Sequence, residues 1–305
     1  MGNFLAEEIV KMILLNLPVK SLLVCKSVCK LWLSIISNSS FIKSQLQRAH
    51  TMNSTLLIII KAGEPNNEPQ QQKLDKLNCP VHLDYLIMPR PFEIYDIIGC
   101  YNGIICLSSW WGLSSDNLHL WNPSIGKYKK LPDYHNRFSV SCLSMVRDKP
   151  SPYRTGFGYD SISDDYKVIR ILDELSYRYF VVQMYSVNAD SWTQFQSSVV
   201  KKRFSIQSEK IVVNKVLYFN NDEELIAFDL HNQVLGLVPL PSFIQERDSK
   251  FMDFEGLVAI LCKSGPVNYH LWTLDGVFWT QNFNIHTDME YLLLGLLSMP
   301  NSTLV

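Results

Sequence analysis

Seven His and seven Cys are the residues of this 305-residue chain best suited to hold a metal or act as a nucleophile. The histidines, at 50, 82, 119, 135, 231, 270 and 286, never stand four apart around a carboxylate, and no Cys or His group has zinc spacing. The cysteines make no Cys-x-x-Cys pair, and Cys25 and Cys29 stand four apart in an apolar helical run. An odd, scattered set of this kind reads as reduced thiols in an intracellular protein. Asp164 and Asp165 are adjacent carboxylates that acid/base chemistry could use, yet Ser161-Ile162-Ser163 before them is turn composition, and a turn is the expectation. Gly156-Phe157-Gly158 lacks the third Gly and the helix of a phosphate-binding loop, so it is expected to be a strand packed closely against neighbouring backbone. With no Gly-x-Ser-x-Gly elbow and no Cys and His pair oriented by a third group, the chain is expected to have no catalytic residue, no metal and no cofactor.

The segments that would position such groups fall into two kinds. Leu5, Ile9, Ile13 and Leu17 recur every four residues, the stripe of an amphipathic helix that Pro18 ends. Pro18 can open a second helix, because a first-turn residue needs no N–H partner, and Leu22, Leu23, Val24 and Val28 give it an apolar face. A third helix through Leu31, Trp32, Leu33, Ile35 and Ile36 meets a stop signal at Ser37-Asn38-Ser39-Ser40, after which Phe41 and Ile42 begin one more turn. Three short helices bury too little surface to stand alone comfortably, so several of these apolar residues are expected to stay outside as a docking surface.

Residues 1–50 hold six Lys or Arg against two Glu, and the remainder holds 22 basic and 27 acidic residues. A basic head on an acidic body suits a head that meets an acidic protein surface. Nucleic-acid binding is not expected, because dense Lys/Arg clusters with interleaved aromatics are missing. Glu7 and Glu8 stand where a signal peptide needs basic residues, and no run of 18 apolar residues occurs, so neither secretion nor a membrane span is expected.

Leu5, Glu8, Ile9, Ile13, Leu14, Leu17, Pro18, Ser21 and Leu22, followed by Val28, Cys29, Lys30 and Trp32, resemble the F-box in its plant style, "LPVKSLL…VCKLW". The resemblance implies a partner, the Skp-type linker protein of cullin-RING ubiquitin ligases. It assigns that contact to Leu5, Ile9, Leu17, Pro18, Leu22, Val28, Cys29 and Trp32. The usual Leu-Pro opening is Leu5-Ala6 here, and loss of the rigid turn is expected to lower linker affinity without abolishing it. The plainer alternative is that these residues only pack the three helices together.

Beyond residue 48 the chain is rich in short β-branched and aromatic runs bounded by Gly, Pro, Asn and Asp, such as Gly103 to Leu107, Tyr166 to Ile171, Ile211 to Phe219 and Leu257 to Leu261. Four stretches share a template of two large residues seven apart: Trp121 and Tyr128, Tyr185 and Trp192, Phe228 and Leu235, Trp272 and Trp279. Steps of 64, 43 and 44 residues separate them, the long first step containing the irregular segment Asp133 to Tyr153. A period of this length with several strands per unit is what a β-propeller blade requires, a sandwich being the second choice. One more step would pass the end at Val305, so the last blade, with its strand Tyr291 to Leu297, is expected to be incomplete. The aromatic pair is similar to that of kelch blades, although the kelch Gly-Gly doublet is absent.

Together with the head, "IIGCYNGIICLS", "LHLWNPSIGKYKKLP", "GFGYDSISDDYKVIRI" and "MYSVNADSWTQF" resemble the F-box-associated domain of plant F-box proteins, nearest the S-locus F-box and S-locus F-box-like group. The expected fold is therefore α+β and multidomain: a three-helix F-box at residues 1–48, then an all-β, kelch-like propeller at 49–305. The resemblance implies a non-catalytic adaptor, in the cytoplasm with the nucleus as a second compartment. The linker, and through it cullin, would bind the head, and a target protein would bind the body, an S-RNase of pollen self-incompatibility being the candidate the subgroup suggests. A propeller scaffold or glycan-binding module outside the ubiquitin system is the rival. Target contact is expected in the loops Ser109 to Asn117 and Asp133 to Tyr153, through Trp110, Trp111, Arg137, Phe138 and Arg147. The polar run Glu64 to Gln72 is assigned no role.

Overall fold

The computed structural model describes residues 6–51, 94–110, 117–134, 153–172, 179–200, 210–221, 224–241, 244, 249–276 and 278–286. The head has four helices, not the three expected: α1 (Glu7–Leu15), α2 (Val19–Cys25), α3 (Lys30–Ser37) and α4 (Ser39–Thr51). The expected stop at residues 37–40 ends one helix and starts the next. Asn38 adopts an extended backbone, and its side-chain oxygen accepts the Ser40 N–H at 2.8 Å and the Ser40 hydroxyl at 2.7 Å. Asparagine is among the strongest helix N-caps, which is why a Ser/Asn cluster here begins α4. Pro18, extended at φ −60° and ψ 151°, caps the start of α2. The core of the head is small: Val10, Leu14, Leu22, Ile35, Ile36 and Phe41, backed by Leu15, Leu17, Cys25 and Trp32. The α4 side chain of Gln45 fastens the α1–α2 corner by donating to the Leu17 carbonyl at 2.9 Å.

The strands form four sheets of four, each a meander in chain order. The first holds β1 (Ile94–Tyr101), β2 (Ile104–Trp110), β3 (Asn117–Asn122) and β4 (Lys127–Lys130). The second holds β5 (Tyr153–Asp160), β6 (Asp165–Leu172), β7 (Tyr179–Ser186) and β8 (Ser191–Val200). The third is β9 (Lys210–Val213), β10 (Val216–Asn221), β11 (Glu224–Asp229) and β12 (Leu235–Pro239). The fourth is β13 (Ser249–Phe254), β14 (Leu257–Lys263), β15 (Asn268–Asp275) and β16 (Phe278–His286). The run Ile211 to Phe219 is a hairpin rather than one strand, because Asn214 and Lys215 take left-handed backbone at φ 47° and 69°. Glu255 and Gly256 turn in the same way at φ 52° and 79°, the two-residue geometry that matches strand twist. The expected strand Tyr291 to Leu297 and the run Glu64 to Gln72 lie outside the described residues.

By its contacts the chain divides into two compact units, Met1–Ile97 with Asn102–Leu131, and Ile98–Tyr101 with Pro132–Val305. In the second unit the sheets stack face to face. Alternate side chains of β10 and β11, Leu217, Phe219, Ile226 and Phe228, pack on Ile169, Ile171, Val182 and Met184 of the second sheet. Leu225 and Tyr218 point the other way, toward Phe251, Val258, Ile260 and Leu274 of the fourth sheet. Full burial of one such side chain stabilises by about 1.5–3 kcal/mol, so these two interfaces dominate the unit. Gly156 and Gly158 in β5 make the first of them possible: a Cβ at Gly156 would lie 2.2 Å from Leu217 Cδ2, and one at Gly158 2.6 Å from Leu230 Cδ1. The strand expected at this Gly-Phe-Gly forms, but its close packing is against side chains of the third sheet and its turn, not against backbone.

The template of paired large residues holds in three sheets, where Trp121 opposes Tyr128, Tyr185 opposes Trp192, and Phe228 opposes Leu235. It fails in the fourth, where Leu274 opposes Trp279 and Trp272 opposes Gln281. The turn there is short, with Asp275 facing Phe278, and the spacing shrinks accordingly. The second residue of the template nevertheless keeps one task. The Trp192 indole donates to the Pro132 carbonyl at 2.7 Å, and the Trp279 indole donates to the Pro239 carbonyl at 3.0 Å.

Candidate functional site

The helices of the head carry more apolar residues than their core can take. In α1, Val10 and Leu14 go inward, while Ile9 and Ile13, one position back and again four apart, stay in solvent with Met12. In α2, Leu22 is buried and Leu23 and Val24 are exposed, Val24 by 70%. Val28, between α2 and α3, is 60% exposed, and in α3 Leu31 and Leu33 face out while Ile35 and Ile36 face in. Lysines 11, 20, 26 and 30 lie among these positions, with Glu7 and Glu8 at the start of α1. A second apolar face with a mostly basic surround is chemically a docking surface, not a reaction centre.

Of the residues that the F-box resemblance assigns to linker contact, Ile9, Pro18, Val28 and Cys29 are exposed. Leu17 and Trp32 are half-buried against the core. Leu22 is 4% exposed and belongs to the core itself, because the α2 face that carries it turns toward Leu14 and Ile35. Leu5 lies outside the described residues. Met12, Ile13, Val24, Leu31 and Leu33 join the exposed set without having been assigned to it. The available signal was a count of apolar residues too large for so small a core.

The residues expected to hold a target are described only at one point. Trp110 ends β2, and of it only the backbone is described. Trp111, Arg137, Phe138 and Arg147 lie outside the described residues.

The body holds one ionic cluster that sequence reasoning missed. The fully buried Asp160 carboxylate accepts from Lys167 Nζ at 2.9 Å, Ser163 Oγ at 2.5 Å and the Ile162 N–H at 3.0 Å. Its Oδ2 also lies 3.0 Å from His231 Nδ1, and Lys167 Nζ donates to the Leu230 carbonyl at 2.6 Å. Burial alone would raise the Asp160 pKa, but the hydrogen bonds from Ser163, Lys167, His231 and Ile162 outweigh it and hold the carboxyl well below the usual carboxylate range. Its partners lie up to 71 residues away in sequence, so no local motif could have revealed it. With no exposed oxygen, Asp160 serves as a clasp between the second and third sheets. Asp164 ends the expected turn with left-handed backbone, and the buried Asp165 opens β6 and accepts from Ser186 Oγ at 2.5 Å and the Asn188 N–H at 2.9 Å. Burial pushes the Cys262 thiol up to about 11, the wrong direction for a nucleophile. Among the described residues no group of three or more His, Cys, Asp or Glu is placed to hold a metal ion, and no helix is long and apolar enough to cross a membrane.

Residues 55–290 match the family described as an F-box associated beta propeller domain, and residues 5–44 match the F-box domain. The chain belongs to the F-box-associated β-propeller family and carries an F-box ahead of that domain. It is similar to three Arabidopsis thaliana proteins in particular. F-box/kelch-repeat protein At3g23880 is 26% identical, over 88% of this chain and 74% of the relative. F-box protein CPR1 is 30% identical, over 62% and 45% respectively. F-box protein At4g22390 is 24% identical, over 91% and 73%. The chain thus spans between 45% and 74% of the length of these relatives. Among solved structures, a GH43 glycoside hydrolase aligns at 8% identity with a TM-score of 0.31, covering 64% of this chain and 41% of that one, a likeness too slight to carry an argument.

Proposed function

We propose that this chain is the substrate-recognition subunit of a Skp-cullin-F-box ubiquitin ligase, in the cytoplasm or nucleus. The uncovered apolar face of the head docks a Skp-type linker protein and through it cullin. The strand-rich body holds a target protein. The chain does no chemistry; it raises the effective concentration of the target's lysines near the ubiquitin-conjugating enzyme. The observation that carries this reading is the exposure of Ile9, Met12, Ile13, Val24, Val28 and Leu31 around a core that is complete without them. Ile9, Pro18, Val28 and Cys29 are the docking residues best placed to act, with Leu17 and Trp32 shaping the surface from its edge, and Leu5 is proposed as a further contact. Leu22 acts through the core. Trp110, Trp111, Arg137, Phe138 and Arg147 are proposed target contacts, and an S-RNase is the target that the S-locus-like motifs favour.

Affinity capture of the full-length protein with the proteasome inhibited tests both halves of the proposal. The linker and a target are expected together, and Val24→Asp with Val28→Asp is expected to remove the linker while the target stays bound. Retention of the linker by that variant would contradict the docking face. Capture of an S-RNase would fix the target class, and a different target would remove the self-incompatibility role alone.

A further inference from the structure

The second unit has two unlike ends. At one end lie the first and last hairpin turns of each of its three sheets, and turns of neighbouring strands and sheets are stitched to one another. Asn214 Nδ2 in the β9–β10 turn donates to the Gly256 carbonyl in the β13–β14 turn at 2.6 Å. The Leu230 N–H in the β11–β12 turn donates to the Lys215 carbonyl at 3.0 Å. The clasp of Asp160 with Lys167 and His231 joins the β5–β6 turn to the same group. Asn188 in the β7–β8 turn donates its backbone N–H to Asp165 and its side chain to the Asp164 carbonyl at 3.0 Å. The result is a preorganised surface made of turns, which loses little freedom on binding a partner.

This surface exposes large apolar side chains, one at each of four turns. Ile162 is 60% exposed, Val234 60%, Leu257 38% and Phe278 79%. The buried faces of the sheets do not require them, since each cluster of core residues is complete without them. Around them stand Asp164, Asp190, Asp229, Asp253, Glu255 and Asp275, and the cations at this end among the described residues are Lys215 and the buried, ion-paired Lys167, with His231 beside them. At the opposite end, where β5, β9 and β13 begin, the described charges are Arg154, Arg170, Lys210, Lys250 and Lys263 against Glu224. Charge of one sign around apolar anchors selects a partner of the other sign and repels one of the same sign.

We propose that the hairpin end of the body is a docking face for a protein segment that presents apolar side chains among lysines and arginines. The assignment rests on the adaptor reading, whose target it narrows to a basic class, and it adds the turns to the long connections already proposed as target contacts.

The test uses the full-length protein and two short synthetic peptides, a Leu/Lys repeat and a Leu/Glu repeat, each with a photo-crosslinking group. The Leu/Lys peptide is expected to bind, with cross-links at Ile162, Val234 or Phe278, and the Leu/Glu peptide is not. Glu255→Lys with Asp275→Lys is expected to weaken binding by about tenfold or more at low salt. Ile162→Ser with Val234→Ser weakens it without changing charge, and Lys250→Glu at the other end leaves it unchanged. Thermal melts identify any variant that fails to fold, and these exposed turn positions are not expected to. Equal binding of the two peptides, cross-links confined to the Lys250 end, or parental affinity in both hairpin variants would overturn the proposal. Linker binding measured on the same samples reports on the head separately, so failure of the ligase reading is distinguishable from failure of this one.

Discussion

In the head, six side chains make the core while ten large aliphatic ones stay more than a third exposed, from Ile9 on α1 to Ile42 on α4. In the stacked sheets β5 to β16 the balance is reversed: nearly every apolar side chain of β6, β7, β11 and β14 is buried, and the one that is exposed, Leu257, sits beside a hairpin turn. One region leaves much of its apolar surface uncovered, and the other buries most of its own between stacked sheets. The adaptor function proposed above would use this division, with the packed body holding a target and the marginal head gaining stability on docking.

The contrast breaks most readily at the Asp160 clasp. Lys167→Met leaves a buried carboxylate without its cation and is expected to cost about 3–5 kcal/mol, lowering the melting temperature of the body. The pH dependence follows the sign of the shift. Asp160 has a folded pKa below its unfolded value of about 4, so its contribution is complete above that value and is lost as the pH falls further. Asp160→Asn should flatten the acid limb of a stability profile measured by denaturant titration; an unchanged limb would show that the clasp contributes nothing.

Close packing offers a second, smaller test of the same contrast. Gly156→Ala forces a Cβ against Leu217 and should destabilise the body by about 1–3 kcal/mol, with linker capture by the head preserved. In the head, Asn38→Ala removes the cap of α4 and should cost about 1 kcal/mol by thermal melting of the linker-free protein. If the linker holds the head together, that loss should shrink in its presence.

Much of the fold could be read from spacing. The stripe Ile9, Ile13, Leu17 gave α1, and the paired large residues gave the third and fourth strands of three sheets. Periodicity cannot say which of two adjacent stripes turns inward, and the resemblance that gives Leu22 to linker contact does not show that its side chain is in the core. Asn38 was legible as a stop and not as a start, because capping depends on the backbone the residue adopts. A constant spacing of seven misaligns the fourth sheet, because its β15–β16 turn is shorter than the corresponding turns of the other three, which spacing alone cannot reveal. The Asp160 clasp and the stitched turns join segments far apart in the chain, and only the stacked sheets bring them together.

In the proposed adaptor the exposed side chains of α1 to α3 are reserved for another subunit. Hydrogen exchange of the full-length protein, with and without a purified Skp-type linker protein, measures this directly. Protection is expected to rise across residues 7–37 and to leave β5 to β16 unchanged. No change in the head, or protection that appears only in the sheets, would contradict the account.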